Sequence, residues 1–116
     1  MTHKIIHFTT VHPRTDTRIR VKEAATLARV WPGGVALYVQ DGKGDETGAQ
    51  DGVAVHDTGP PERGRLRRMT RGAFRMYRAV RRARPRIAHF HDPELLPWAI
   101  LLHLHGVKVI YDMHED

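Results

Sequence analysis

The chain has 116 residues, of which 41% are hydrophobic and 28% are charged, and its formal net charge is +6. This length suffices for a single hydrophobic core, so we expect one domain over residues 1–116. The sequence has no cysteine, which excludes disulfides, thiolate metal sites and a cysteine nucleophile. The longest apolar run, Leu95 to Leu104, is shorter than the roughly 20 residues of a membrane span and predicts a buried helix.

The amino terminus does not have the pattern of a secretion signal, because residues 1–7 contain one lysine and only a short apolar run. The lack of cysteine also fits a reducing compartment. We therefore expect a cytoplasmic protein.

The first half of the chain predicts three strands and one helix. The strands are predicted at Lys4–Thr9, Val35–Val39 and Val53–His56. The helix is predicted from Arg18 to Val30 and is capped by Asp16 or Thr17. Four residues at helical spacing should form its buried face: Ala24, Leu27, Ala28 and Trp31. The basic first turn (Arg18, Arg20 and Lys22) is either a phosphate or carboxylate site or a solvated turn.

The segment from Gly64 to Arg84 predicts an amphipathic helix with an unusual charge pattern. Apolar residues recur with a period near 3.6: Leu66, Met69, Ala73, Met76, Tyr77, Val80 and Ala83. Six arginines fall on the opposite side: Arg67, Arg68, Arg71, Arg75, Arg78 and Arg82. Eleven of the 19 Lys and Arg lie between Arg63 and Arg86, and no Asp or Glu occurs from Arg63 through His91.

An arginine face of this kind fits an anionic membrane surface best, since each basic residue near lipid headgroups contributes on the order of 1 kcal/mol. Nucleic acid is the second interpretation, and a solvated face is the third. Nucleic-acid readers usually interleave aromatic side chains, whereas Phe74 and Tyr77 are predicted nearer the buried side.

The stretch from Pro85 to Asp116 predicts a strand, a helix and a strand. Arg86–His91 and Val107–Tyr111 are the strands, and Asp92 is expected to cap the helix between them. Gly106 ends that helix. Both strands are followed by titratable side chains at the carboxyl edge of the sheet, where α/β proteins bind ligands.

Five histidines have competing interpretations. His89, His91 and Asp92 could ligate a metal, but we favour a structural His89 and no metal, since a strand pair is a low-specificity signal. His103 and His105 should act structurally at a helix end. His114, between Asp112 and Glu115, is the best catalytic candidate, or else an ordinary loop histidine. His7, on the first strand, gives no signal of its own.

The alternation of strands and helices predicts the α/β class, with a Rossmann-like parallel sheet of about five strands flanked by helices. No Gly-x-Gly-x-x-Gly or Walker pattern follows the first strand, so a nucleotide held there in the usual way is not expected.

In its motifs the chain resembles the amino-terminal half of a glycosyltransferase of the two-Rossmann-domain (GT-B) type, close to family 4 of the retaining enzymes. The resemblance rests on residues 4–13, on Asp16–Ile19 with Lys22–Glu23, on His89–Pro97 and on Val109–Glu115. It differs at the loop of residues 11–16, where many members have a Gly-Gly pair.

The resemblance implies that this is an acceptor-side domain, truncated before a donor domain that holds a nucleotide sugar without a required metal. His91 and Asp92 would then face a sugar or lipid-linked acceptor, and His114 would lie at the cleft. Arg18 would lie near a phosphate of the acceptor or near the diphosphate of the donor. The six arginines would dock the domain on the inner membrane face. The donor domain would be supplied in cis or in trans, and the chain alone would be inactive.

Two other functions remain open from the residues alone. The chain could be a nucleic-acid-binding module, or a metal-dependent hydrolase that uses His89, His91 and Asp92.

Overall fold

The structure, a computed structural model, describes residues 5–112 apart from the side chains of Thr17, Arg18 and Val21. Its centre is a sheet of five strands in which every neighbouring pair is parallel. The strands are β1 (Ile5–Phe8), β2 (Val35–Val39), β3 (Ala54–Asp57), β4 (Ile87–Phe90) and β5 (Lys108–Tyr111), in the spatial order β3-β2-β1-β4-β5. The predicted fold class, a Rossmann-like parallel sheet of five strands, is confirmed.

The two faces of the sheet bury different sets of side chains. β1 and β2 are buried on both faces, as expected for central parallel strands. One face packs Phe8, Tyr38 and Phe90 beneath two helices, and the other packs Ile5, Val35 and Leu37 beneath one helix.

The first helical region begins after Asp16, whose carboxylate accepts a hydrogen bond from the Ile19 amide at 3.0 Å. The predicted Asp16 cap is therefore confirmed. The region starts with a wider, π-type segment (Thr17–Ala24) and continues as α1 (Ala25–Val30). Trp31 was predicted on the buried face but is 39% exposed, because it follows the last residue of α1 and so lies beyond the helical face that packs on the sheet.

The arginine-rich segment forms α2 (Arg65–Arg67), a π-type turn (Arg68–Gly72) and α3 (Ala73–Ala83). α3 buries the predicted side chains Ala73, Met76, Tyr77 and Val80. Leu66 and Met69 were also predicted on the buried side, and this is wrong: they are 76% and 38% exposed, since the buried face of this region begins only at Gly72 and Ala73.

The last helical region comprises a 3₁₀ turn (Pro93–Leu95) and α4 (Leu96–Leu104). The prediction of a buried helix is wrong. Only Leu95, Ala99 and Leu102 are buried, whereas Ile100 and Leu104 are 53% and 72% exposed. α4 packs on the sheet with one face and beside α3 through Trp98, and its outer face is left uncovered within residues 5–112.

None of the helices described over residues 5–112 is long and apolar enough to span a bilayer.

Candidate functional site

The order of the strands places a crevice between β1 and β4. The chain runs from β1 outward to β2 and β3, and from β4 outward to β5 in the other direction. Ligands of open α/β sheets bind at such a switch point, beyond the carboxyl ends of the strands. Here Thr9 and Thr10 follow β1, and His91 and Asp92 follow β4, so four polar residues meet at this position.

Asp92 links the two strand ends. Its carboxylate accepts hydrogen bonds from the Thr9 hydroxyl at 2.9 and 3.0 Å, from the Thr10 amide at 2.6 Å and from the Thr10 hydroxyl at 3.2 Å. The Thr9 hydroxyl oxygen in turn accepts hydrogen bonds from the backbone amides of Val11 and His12. One buried carboxylate therefore determines the shape of the loop after β1.

This network corrects the predicted capping role of Asp92. The residue precedes the 3₁₀ turn, but its side chain makes no capping hydrogen bond; only its carbonyl accepts the Leu95 amide, at 3.0 Å. The reason is competition, since the carboxylate is already bonded to Thr9 and Thr10. Burial raises the pKa of Asp92, and the hydrogen bonds from Thr10 and Thr9 oppose that shift.

A shallow groove lies beside this network. It has a volume of about 460 Å³ and is lined by Val11, Arg65, Arg68, Met69, Asp92, Pro93 and Glu94. Glu94 accepts from the Thr10 hydroxyl at 2.8 Å and from Arg68 Nε at 2.9 Å. The groove is thus lined by two acidic side chains, two arginines and three apolar side chains at the carboxyl edge of the sheet.

Three imidazoles lie on the face of the sheet that packs against the α1 region. His7 on β1 is in register with His89 on β4, and His91 lies two residues further on, just past the end of β4. The ring centroids of His7 and His89, and those of His89 and His91, are 4.7 Å apart. His7 Nδ1 lies 3.3 Å from His91 Nε2.

Two carboxylates border these rings. Glu23, from the helical region that covers this face, lies 3.6 Å from His89 Nε2, and Asp112, after β5, lies 3.7 Å from His91 Nδ1. Burial and, to a smaller extent, the neighbouring His89 lower the pKa of His7 to about 3, with Asp112 opposing them, so His7 is neutral at physiological pH.

The donor set differs from the one considered from sequence. His7, Glu23, His89 and His91 each offer one ligand atom, and these four atoms lie within 4.8 Å of one another. Asp92 is not among them. Sequence reasoning missed His7 and Glu23. Had β1 and β4 been known to be adjacent, the side-chain alternation along both strands would have placed His7 on the same face of the sheet as His89.

Arg20, in the basic first turn of the first helical region, is not available to bind an anion. Its guanidinium binds both carboxylate oxygens of Glu46, at 3.0 and 3.1 Å, and Asp51 at 2.8 Å. The residue is 9% exposed, so neither the anion site nor the solvated turn describes it. The Arg18 side chain and His114 lie outside the described residues, and their roles stay predictions.

The six arginines predicted for a membrane surface divide into two groups. Arg68 pairs with Glu94, and Arg75 bonds to the Pro60 carbonyl and to Glu62 at 3.4 Å. The other four are exposed, and within the described residues none of them has a carboxylate at ion-pair distance: Arg67, Arg71, Arg78 and Arg82.

Phe74 interrupts this basic surface. It was predicted near the buried side but is 47% exposed, while Tyr77 is buried as predicted. The reason is its position on the flank of α3 that faces α4, where its ring meets Trp98 edge-on at 5.6 Å. A groove of about 480 Å³ is lined here by Phe74, Tyr77, Arg78, Arg81, Arg82 and Arg84.

His103 and His105 are exposed at the carboxyl end of α4 and lie outside the imidazole group.

A five-stranded parallel sheet with polar residues at its switch point defines an α/β protein of the Rossmann-like class, a class in which ligands bind at the carboxyl edge. The family model described as a glycosyl transferase 4-like domain matches residues 17–116. The chain belongs to this glycosyl transferase 4-like family. No curated protein and no solved structure matches it.

Proposed function

We propose that this domain binds the acceptor in a sugar-nucleotide-dependent glycosyltransferase of GT-B architecture that makes surface polysaccharide or glycolipid. The observation that carries the proposal is the groove beside Asp92 at the switch point, in a chain of the glycosyl transferase 4-like family. The nucleotide sugar would be held by a second domain, in cis or in trans.

The groove suits a sugar whose hydroxyls need acceptors of hydrogen bonds. Glu94 offers a carboxylate held by Thr10 and Arg68, and the buried Asp92 carboxylate holds Thr10 in place beside it. Val11 and Met69 add an apolar wall, which favours an acceptor with a lipid portion. Arg68 can also contact a phosphate between the two portions.

Membrane docking follows from the charge and the apolar surface of the helical layer. Arg71 is exposed on the π-type turn, Arg78 and Arg82 are exposed on α3, and Ile100 and Leu104 are exposed on the neighbouring α4. At about 1 kcal/mol per basic residue near anionic lipid, three arginines contribute about 3 kcal/mol, or on the order of a 100-fold gain in affinity.

The docking test is sedimentation of the chain with vesicles of pure phosphatidylcholine and with vesicles containing phosphatidylglycerol. The wild type should bind only the anionic vesicles, and a triple variant (Arg71→Glu, Arg78→Glu and Arg82→Glu) should lose on the order of 100-fold or more in affinity. Equal binding to both vesicle types would overturn the docking proposal.

A matched control changes the charge equally on other surfaces. Arg29, Lys43 and Lys108 are exposed and lie away from α3, so their triple replacement by Glu should keep most of the binding. Adding short RNA or DNA at low salt tests the nucleic-acid alternative: tight binding of these polyanions with no vesicle binding would replace the membrane proposal.

Acceptor binding is tested by hydrogen exchange of the wild type on vesicles with and without a polyprenyl-phosphate-linked sugar. The amides of Thr10, Val11 and Leu95 should become more protected when the linked sugar is present. Protection that is the same with a polyprenyl phosphate lacking sugar would show that the groove binds phosphate alone and would contradict sugar recognition.

The catalytic role of His114 can be measured only in the enzyme with its donor domain. A general base or a residue that orients a hydroxyl contributes about 10²- to 10⁴-fold, so His114→Ala should reduce kcat by that amount with little change in vesicle binding. Near-normal turnover would end this part of the proposal.

A further inference from the structure

We propose that His7, Glu23, His89 and His91 form a site for one divalent metal ion with the ligand preferences of Zn²⁺. The four side chains come from β1, from the helical region over the sheet and from β4 with its following residue. Their four ligand atoms lie within 4.8 Å of one another. A bound ion would therefore join three separate parts of the chain.

The spacing of the donors is close to what a tetrahedral ion needs. Bonds of about 2.1 Å place neighbouring tetrahedral ligand atoms about 3.4 Å apart. His7 Nδ1 and His91 Nε2 are 3.3 Å apart, and His89 Nε2 and Glu23 Oε2 are 3.6 Å apart. The rings are tilted by only 17–33° from one another, so they must rotate about the broad χ2 torsion for their nitrogens to turn toward one point.

His7 brings a fully buried imidazole to the site. Its Nδ1 faces another imidazole nitrogen, and its Nε2 has no hydrogen-bond partner among the described residues. A buried polar atom without a partner costs about 1–3 kcal/mol. The ion would be bound through Nδ1, which leaves this Nε2 as it is, and a buried neutral imidazole is a good ligand for zinc-like ions.

The charges and the outer partners also match a divalent ion. With neutral imidazoles, Glu23 and the nearby Asp112 provide two negative charges at the edge of a buried group. Asp112 lies 3.7 Å from His91 Nδ1, on the side of the ring opposite the nitrogen that faces His7. A carboxylate behind a ligating histidine is the usual arrangement around protein-bound zinc.

A site with four protein ligands is closed, which suits a structural role. Catalytic zinc sites keep one position for water, whereas structural sites use four protein ligands. The ion would hold β1 against β4 directly beneath the Asp92 network, and it would not make the chain a hydrolase. This inference stands on the geometry of the imidazole group and does not depend on the proposed transferase function.

The test is a titration of the chelator-treated 116-residue chain with ZnCl₂, followed by competition with a chromophoric indicator. We expect one equivalent to bind with a Kd on the order of 1 μM or tighter. Glu23→Gln keeps the size of its side chain and His89→Asn keeps a polar side chain at a partly exposed position, and each should weaken binding about ten-fold or more. The double variant His103→Asn with His105→Asn, at exposed positions outside the site, should bind as the wild type does.

A measurement on the wild type covers the case in which a variant does not fold. Loading with CoCl₂ should give the intense visible bands of four-coordinate cobalt, and X-ray absorption of the zinc form should show scattering from three imidazoles. Absence of stoichiometric binding, a six-coordinate cobalt spectrum or equal weakening by the surface variant would each overturn the metal site.

Discussion

Two sets of arginines in this chain have opposite surroundings. Arg14 and Arg20 lie before and within the first helical region, and the loop after β2 brings Asp41, Glu46 and Asp51 to them at 2.7–3.1 Å. The six arginines predicted for a membrane surface, between Arg67 and Arg82, lie in a stretch without Asp or Glu, and four of them are exposed with no carboxylate at ion-pair distance within the described residues. The first set stabilises a loop, whereas the second set leaves its charge available to a partner.

The largest effect on stability should come from Arg20. Arg20→Ala removes four hydrogen bonds to Glu46 and Asp51, and it leaves the partly buried Asp51 without this cation and Glu46 with only Arg14, 3.8 Å away. Because both carboxylates are partly exposed, we expect a loss of about 2–3 kcal/mol, less than for a fully buried pair. Urea unfolding measures it, and Arg29→Ala, at an exposed position of α1, is the control. A loss below about 0.5 kcal/mol would remove the distinction between the two sets.

Gly72 should give the next effect, because it fixes the arginine-bearing helix against the sheet. Gln40 Nε2 donates to the Gly72 carbonyl at 2.7 Å, and a Cβ at Gly72 would lie 2.8 Å from Gln40 Oε1. Displacing the buried amide costs about 1–3 kcal/mol, and alanine returns about 1 kcal/mol of helix propensity. Gly72→Ala should therefore destabilise by about 1 kcal/mol.

The control for this prediction is the same substitution in a Gln40→Ala background. There the clash is gone, so Gly72→Ala should be neutral or stabilising when unfolding is followed by circular dichroism. Destabilisation of the same size in both backgrounds would contradict the contact with Gln40.

Acid should weaken the ion pairs of Arg14 and Arg20 and so lower the free energy of unfolding. Hydrogen bonds from Arg14 lower the pKa of Asp41, and those from Arg20 lower the pKa values of Glu46 and Asp51. Carboxyl groups with a lowered folded pKa add stability above their unfolded values of about 4, and this stability is lost as the pH falls through the folded values. The urea midpoint of the wild type should fall more between pH 5 and pH 3 than that of Arg20→Ala. Parallel decreases would count against these pairs.

The smallest stability effect is expected on α3. Arg78→Ala removes an exposed side chain that has no ion pair within the described residues, so the free energy of unfolding should change by less than about 0.5 kcal/mol. Vesicle affinity should nevertheless fall about five-fold, the equivalent of about 1 kcal/mol. A large loss of stability would show that Arg78 belongs with the structural arginines.

The five strands and the direction of the sheet could be predicted because each strand is a short apolar run with clear boundaries. Val35–Val39 matches β2 at both ends, and the predicted Asp16 cap was found because its contact is with an amide three residues away. These features depend on local sequence, which is where propensity and periodicity are informative.

The contacts that were missed join residues far apart in the chain. Asp92 bonds to Thr9 across 83 residues, and this contact overrides its local preference for capping a helix. His7 contacts His91, which lies 84 residues later in the chain, and Arg20 donates a hydrogen bond to Asp51 in the loop after β2. Likewise the apolar run in α4 shows that the helix has hydrophobic faces, but the packing decides which of them is covered.

The Asp92 carboxylate has a consequence for how a ligand is received. It ties the segment after β1 to the segment after β4 before anything binds, so much of the conformational entropy of this edge is already lost in the free protein. A ligand would therefore bind to the segments after β1 and β4 when these are already fixed relative to each other. Selectivity at this edge should depend on the fit to a rigid floor more than on loop closure around the ligand.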